Sequence, residues 1–259
     1  MNFSGHDSVE IETTLVICSH DPATIIRNIA NMRFIERYEL VPKPDRLIHD
    51  IYFDTADGSL GKKRWALRLR VVGGRLWVAL KGPGEPVQSA GIRRPEVELP
   101  WSQTAVDNIL ERLSKLVTDF SVHTIPVGLS GQDAFIAMGF QIIQDRHTNR
   151  RIRDVCSTCG ELLAEMALDA VTYHLRDQDL FHDEIEIEAK SPADPAVLKT
   201  VVSYLLQRFG PRLRRWNHGK LATGKTLEEL IGRYPAAPLL TATGHATPAL
   251  YDKLEECMK

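Results

Sequence analysis

The chain has 259 residues, 43% of them hydrophobic and 25% charged, with a formal net charge of −2. That length can bury a sizeable core in one large or two small domains. The near-neutral balance gives no support for a generally nucleic-acid-binding surface. No apolar run approaches the ~20 residues of a membrane-spanning helix. Met1 to Val9 is polar and lacks the apolar centre of a signal peptide, so the cytoplasm is the expected compartment.

Glu10 to Ile17 reads as the first strand. Residues two apart in a strand share a face. Glu10 and Glu12 therefore point one way, and the apolar residues between and around them the other. Asp21-Pro22 opens a helix, with Asp as cap and Pro at the first helical position. Its apolar face is Ile25, Ile26, Ile29 and Ala30. His49 to Asp54 is a second strand, followed by a turn at Ala56-Asp57-Gly58. Trp65 to Val72 and Leu76 to Lys81 flank Gly73-Gly74, a strong hairpin signal. Gly82-Pro83-Gly84 ends that pair, and Arg93 to Leu99 is a further strand, with Pro95 at a bulge or edge. Ser102 caps a helix whose face is Val106, Ile109, Leu110, Leu113 and Val117. Thr118 to Gly139 shows no clear pattern.

Phe140 to Val155 and Leu162 to Leu175 read as two strands around a turn, and Asp183 to Lys190 as the last acidic strand. On that strand Glu184, Glu186 and Glu188 share one face. Asp194-Pro195 opens a helix with Leu198, Val201, Val202, Leu205, Leu206 and Phe209 inside, closed by Gly210. After Trp216 the pattern is mixed, with Thr226 to Tyr234 and Pro248 to Met258 as short helical pieces.

About eight strands result, and short turns between most of them require antiparallel pairing. Arg or Glu stands on the polar face of nearly every strand. Closure of the sheet would line a wet, charged bore with these faces and pack the helices outside. The predicted fold class is therefore α+β, an eight-stranded antiparallel closed β-barrel (a tunnel) with flanking helices. The predicted division is 1–220 for this domain and 221–259 for a short helical extension.

Two motifs point elsewhere. Cys156-Ser157-Thr158-Cys159 has half the spacing of a zinc or redox site, yet falls at a hairpin turn beside Gly160, and a structural turn is the expected role. Gly219 to Thr226 satisfies G-x-x-x-x-G-K-T. A working phosphate loop needs a buried strand before it, and Pro211 to His218 is dominated by arginine. Trp65, Trp77 and Trp101 fit core or rim packing, and His6, His147 and His174 fit the surface.

The motifs, in order, resemble the CYTH family, also called triphosphate tunnel metalloenzymes. Glu10-Ile11-Glu12 matches its E-x-E-x-K strand, Tyr52-Phe53-Asp54-Thr55 its Y-F-D-T, and Leu67-Arg68-Leu69-Arg70 its L-R-L-R. Leu80-Lys81-Gly82 matches L-K-G; Arg94, Glu96 and Glu98 match R-x-E-x-E. Arg146 and Arg150 approximate a strand with alternate basic residues, Ala167-Leu168-Asp169 matches A-L-D, and Glu184 to Lys190 matches E-x-E-x-E-x-K. The resemblance covers roughly residues 8 to 220. Thr14 stands where the family has its signature lysine, and Arg215 lies where relatives have S-K-Y and could keep that lysine's charge.

The resemblance implies an enzyme, a hydrolase of a triphosphate-containing small molecule, with inorganic triphosphate ahead of nucleoside or thiamine triphosphate. Its implied cofactor is Mg2+ or Mn2+, held by Glu10, Glu12 and Glu188, since such ions favour carboxylate oxygens. Arg68, Arg70, Lys81, Arg94, Arg146, Arg150, Lys190 and Arg215 would bind the substrate. Glu98, Asp169 and Glu186 would orient the attacking water, directly or through a second metal. The alternatives are a class IV-type adenylate cyclase and a non-catalytic polyphosphate- or nucleotide-binding module. No nucleic-acid or membrane partner is expected, and a homodimer contact is one use open to the C-terminal residues.

Overall fold

The computed structural model describes residues 8–87, 91–116, 128–175, 178–190, 196–234 and 236–258. The polar start of the chain with His6, Val117, and the helix opening at Asp194-Pro195 lie outside the described residues.

In chain order, β1 (Ser8–Ile17) is followed by α1 (Pro22–Ala30), β2 (Phe34–Ile35), β3 (Tyr38–Pro42) and β4 (Arg46–Asp54). Next come α2 (Ser59–Lys62), β5 (Ala66–Val72), β6 (Arg75–Lys81), β7 (Glu85–Val87), β8 (Gly91–Pro100), α3 (Gln103–Leu116) and α4 (Gly131–Ala137). The long strands β9 (Gln141–Cys156), β10 (Leu162–His174) and β11 (Asp179–Ala189) lead to α5 (Ala196–Phe209). A 3-10 turn over Gly210–Arg212, β12 (Leu213–Trp216), α6 (Lys220–Arg233), α7 (Ala236–Leu239) and α8 (Pro248–Cys257) complete the order.

The strand order is β10-β11-β1-β8-β6-β5-β4-β9-β3-β2, and a β9–β10 pairing closes its first eight members on themselves. This is the eight-stranded antiparallel closed barrel of an α+β protein, as expected. β12 and β7 add to β1 and β8. Two compact units divide the chain: residues 1–9, 48–84 and 94–146, and residues 10–47, 85–93 and 147–259.

In the first unit, Gly73 and Gly74 turn the β5–β6 hairpin at φ of 57° and 71°, the left-handed region where glycine carries no Cβ penalty. One face of these strands, with Ile51, Phe53, Leu67, Leu69, Val78, Leu80 and Val97, packs on α3 and α4. α3 contributes the expected Val106, Ile109, Leu110 and Leu113, and Ser102 Oγ accepts from Ala105 N at 3.1 Å as its cap. α4 lies inside the stretch without a clear sequence pattern. Its Phe135 is fully buried, with its ring centroid 5.1 Å from that of Phe53. Asp54 closes this unit's short α2: its carboxylate accepts from Leu60 N at 2.9 Å and Gly61 N at 3.0 Å.

In the second unit, Asp21 caps α1 as expected, accepting from Thr24 N at 3.1 Å. One core joins Ile25, Ile26 and Ile29 of α1 to Ile185 and Ile187 of β11 and to Val201, Val202 and Leu205 of α5. A second joins Val16 and Trp216 to Leu227, Leu230, Leu250, Tyr251 and Leu254 of α6 and α8. The segment after Gly210 differs from expectation: residues 213–216 form β12, antiparallel to β1, with Thr14 opposite Trp216. Leu213 and Trp216 are buried while Arg215 is exposed, so two apolar residues suffice to seat an arginine-rich strand. The helix after it begins at Lys220, six residues earlier than the predicted Thr226, and takes in Gly224 and Lys225. A phosphate loop is thereby excluded, because those residues are helix interior.

Cys156 ends β9 and is buried, Cys159 is exposed, and both thiols are free. Gly160 sits at φ 83°, and its N–H donates to Ser157 O at 2.9 Å. The C-x-x-C pair is a hairpin turn.

Asp183 of β11 is buried opposite Ala170. Burial raises its pKa, against the pull of His182 and His245. An acid raised in the fold opposes folding at pH values above its folded pKa, and the penalty fades as pH falls through it. Asp183→Asn is expected to raise the melting temperature at neutral pH, with the difference from wild type vanishing below the ordinary carboxylate range. Thermal melts at several pH values check this.

Candidate functional site

Each unit carries a cluster of charges on the strand face opposite its core. In the first, Asp50 of β4 stands directly across from Arg70 of β5. Arg70 grips it as a fork, Nε to Oδ1 at 2.7 Å and Nη2 to Oδ2 at 3.0 Å. Arg146 Nη2 donates to Asp50 Oδ2 at 3.1 Å and to the Tyr52 hydroxyl at 2.7 Å. Arg68 Nη2 donates to Glu98 at 2.7 Å and Glu96 at 3.1 Å; its Nε lies 3.8 Å from Asp50 and makes no hydrogen bond. Lys81 Nζ is 3.0 Å from Glu96, its register partner on β8. Arg94 is half-buried and two residues from Glu96, on the same side of β8.

Arg68, Arg146 and Asp50 are all nearly inaccessible to water. Burial opposes ionisation of Asp50, but Arg68, Arg70 and Arg146 hold its carboxyl well below the usual range. Burial likewise opposes ionisation of the Tyr52 phenol, and Arg146 and Arg68 still bring it below its ordinary value. Arg68, Arg70, Lys81, Arg94 and Arg146 share this strand face with the acids Asp50, Glu96 and Glu98. Guanidinium forks grouped in this way suit a multivalent anion with planar or tetrahedral oxygens.

In the second unit the register sets acids in rows across β10, β11 and β1. Glu165 faces Glu188, which faces Glu12. In the next row on this face Ala167 faces Glu186, which faces Thr14. In the third, Asp169 faces Glu184, which faces Val16. Arg150 of β9 forks onto Asp169, Nε to Oδ1 at 2.8 Å and Nη2 to Oδ2 at 2.6 Å, and reaches Glu186 at 2.5 Å. The Lys220 ammonium, from the first turn of α6, lies 3.0 Å from Asp169, 2.6 Å from Glu186, and in contact with Glu184. Behind Glu184, His182 Nε2 approaches it at 2.8 Å, and His182 Nδ1 lies 2.9 Å from the Tyr251 hydroxyl of α8. Burial would lower the Lys220 pKa, but Glu184, Glu186 and Asp169 raise it overall. Burial would raise Glu184, and Lys220 and His182 lower it overall.

Of the residues singled out from sequence, Arg68, Arg70, Lys81, Arg146 and Glu98 meet in the first unit's cluster, with Arg94 on the same strand face. Arg150, Asp169 and Glu186 meet in the second. Glu12 and Glu188 are cross-strand neighbours, and Lys190 Nζ lies 3.3 Å from Glu188. Glu10 is half-buried on the Glu12 side of β1. Arg215 is exposed, opposite Leu15, one residue out of phase with the acid face.

Sequence reading missed Asp50, Lys220, His182 and Tyr251. Asp50 could have been found by period: it is two residues before Tyr52 and shares its face. Lys220 was hidden inside the phosphate-loop pattern. Nothing local marks Tyr251, which reaches His182 across a long stretch of chain.

Hard carboxylate donors suit Mg2+ or Mn2+. Glu12 and Glu188 face each other across β1 and β11, with Glu10 in phase with Glu12, and all three carry oxygen donors of the kind such an ion takes. Asp169, Glu184 and Glu186 offer oxygens within 4.8 Å of one another, but the Lys220 ammonium stands among them.

No helix among the described residues is long and apolar enough to cross a membrane. A search among curated proteins found no match. Among solved structures, a Hippeastrum protein given as an adenylyl cyclase candidate with a dominant triphosphatase activity aligns at TM-score 0.53 and 17% identity. The match covers 87% of this chain and 99% of that one. A Bacillus halodurans adenylate cyclase candidate aligns at TM-score 0.49 and 20% identity, covering 84% and 97%. An RNA triphosphatase of S. pombe aligns at 0.41 and 13%, covering 84% and 88%. At 17% identity the Hippeastrum structure shares the fold. The CYTH domain family model matches residues 28–210, most of the chain. This chain belongs to the CYTH domain family.

Proposed function

We propose that this protein is a divalent-metal-dependent hydrolase of a triphosphate, with inorganic triphosphate favoured over nucleoside or thiamine triphosphate. The observation that carries the proposal is the convergence of Arg68, Arg70 and Arg146 on the single Asp50 carboxylate, with Lys81 on Glu96 beside them. Several guanidinium groups and an ammonium on one strand face present the forked donors that phosphate oxygens take. The dominant triphosphatase activity given for the Hippeastrum structure supports the same substrate class.

In this reading Arg68, Arg70, Arg146, Lys81 and Arg94 bind phosphate oxygens, with Arg150 and Lys190 as further contacts. Glu98 and Glu186, the more exposed acids, accept hydrogen bonds from the attacking water, and Asp169, fully buried, acts on it through Arg150 and Lys220. Glu10, Glu12 and Glu188 would hold Mg2+ or Mn2+, which when bound offsets the negative charge that grows on the departing phosphate.

The test is incubation with Mg2+ or Mn2+ and inorganic triphosphate, thiamine triphosphate or ATP. Metal-dependent phosphate release is the expected result. Cyclic AMP from ATP would instead identify a cyclase, and tight binding without turnover a binding module. Glu10→Gln is expected to lower metal-dependent turnover by roughly 100-fold, the equivalent of a few kcal/mol of lost charge stabilisation, while leaving the melting temperature nearly unchanged. Unaltered turnover in that variant would remove Glu10 from the metal site.

A further inference from the structure

We propose that Lys220 takes the place of a divalent cation in the Asp169–Glu184–Glu186 triple, so that the chain fills a metal-shaped pocket of oxygens with its own ammonium. The three carboxylates come from adjacent strands in register, Asp169 opposite Glu184 and Glu186 two residues on. Their oxygens lie within 4.8 Å of one another, a spacing a small ion could bridge. The Lys220 Nζ is in ion-pair contact with all three.

The strands themselves offer no cation from the β1 side. Thr14 faces Glu186 and Val16 faces Glu184. Arg150 reaches Asp169 and Glu186 but has no ion pair with Glu184. Asp169 and Glu184 are buried and Glu186 is 20% exposed, and carboxylates packed this closely need positive charge among them. Lys220 brings it from α6, and its place is fixed from several sides. The Tyr173 hydroxyl donates to Lys220 O at 2.9 Å, and Trp216 Nε1 donates to Thr223 Oγ1 at 2.9 Å one turn on. His182, braced by Tyr251 of α8, holds the far side of Glu184. The lysine is 7% exposed, and an ion entering the triple would have to displace this ammonium from among the carboxylates.

The inference gives the C-terminal residues a task, and it stands whether or not triphosphate is hydrolysed. Its test is a Mn2+ titration of wild type, Lys220→Met and Lys220→Arg by electron paramagnetic resonance and calorimetry, with melting temperatures at each point. Lys220→Met is expected to bind one more Mn2+ than wild type and to gain more thermal stability from it. Lys220→Arg should keep the wild-type stoichiometry. Adding Glu184→Gln to Lys220→Met should abolish the extra ion. Should Lys220→Met fold only with Mn2+, the ion is replacing the ammonium, as proposed. Equal stoichiometry in wild type and Lys220→Met would overturn the proposal. So would a Lys220→Met protein that stays unfolded at saturating Mn2+ while Lys220→Arg folds.

Discussion

Asp50→Ala is expected to destabilise the protein by about 3–5 kcal/mol, the cost of removing one partner from a buried ionic cluster. Its carboxylate is 2% exposed and is the shared acceptor of Arg70 and Arg146, with Arg68 at 3.8 Å. Without it, Arg70 and Arg146 both lose the carboxylate they share. Denaturant unfolding at neutral pH measures the loss. Two further signatures separate this cause from a simple cavity. Asp50 has its pKa depressed in the fold by the three arginines. A depressed acid lends stability above its unfolded pKa, near 4, and that stability is lost as pH falls through the lower folded value. Asp50→Asn, nearly the same shape, should therefore lose this part of the acid dependence. Added inorganic triphosphate should also raise the melting temperature of Asp50→Asn more than that of wild type, because the variant carries one negative charge fewer beside these arginines. Ligand at a hundred times its Kd contributes about 2.7 kcal/mol. Equal shifts in the two proteins would count against anion binding at these arginines.

Gly91→Ala is expected to cost roughly 3 kcal/mol or more, from two causes that add. Gly91 adopts φ 118°, a conformation in which a side chain is strained by about 1–3 kcal/mol. A Cβ there would also fall on the Glu12 carbonyl oxygen and Thr13 Oγ1, with the Glu12 carbonyl carbon at 2.8 Å. Backbone atoms of a paired strand cannot yield as a flexible side chain can, and overpacking of this kind costs about 1–3 kcal/mol. Gly74→Ala is the control: it too has positive φ, but a Cβ would meet nothing within 4 Å. A Gly91 variant no less stable than the Gly74 variant would show that β1 can move aside.

The strands were legible because their period is short and strict. Glu10 and Glu12, Arg68 and Arg70, and Glu184, Glu186 and Glu188 each announce a strand and its polar face within a few residues. The family, too, followed from that order of motifs. β2, β3 and β12 were not legible, since two to five residues with one or two buried side chains carry no period. Assembly of the clusters was only half legible. A sequence shows that Arg70 faces the polar side, but not that Asp50 will be its register partner. Lys220 illustrates the larger gap. It lies on a helix of modest amphipathicity and is drawn inward by acids more than thirty positions earlier, so only tertiary contact reveals it. Arg215 shows the reverse: it has the expected charge on the expected segment, and a phase of one residue turns it to solvent.

The partners of β1 have a consequence for how the polypeptide is made. Residues 12–16 bond to residues 184–188, and residues 14–17 to residues 213–216. At a ribosomal rate of about 5–20 residues per second, β1 waits many seconds with its hydrogen-bonding rim bare. Such a rim invites other nascent chains. Glu10 and Glu12 give the waiting strand like charge on one side, so two copies laid together would repel. The carboxylates proposed to hold an ion in the finished protein would then also guard the unfinished one against aggregation, and their neutral variants are expected to give lower soluble yield.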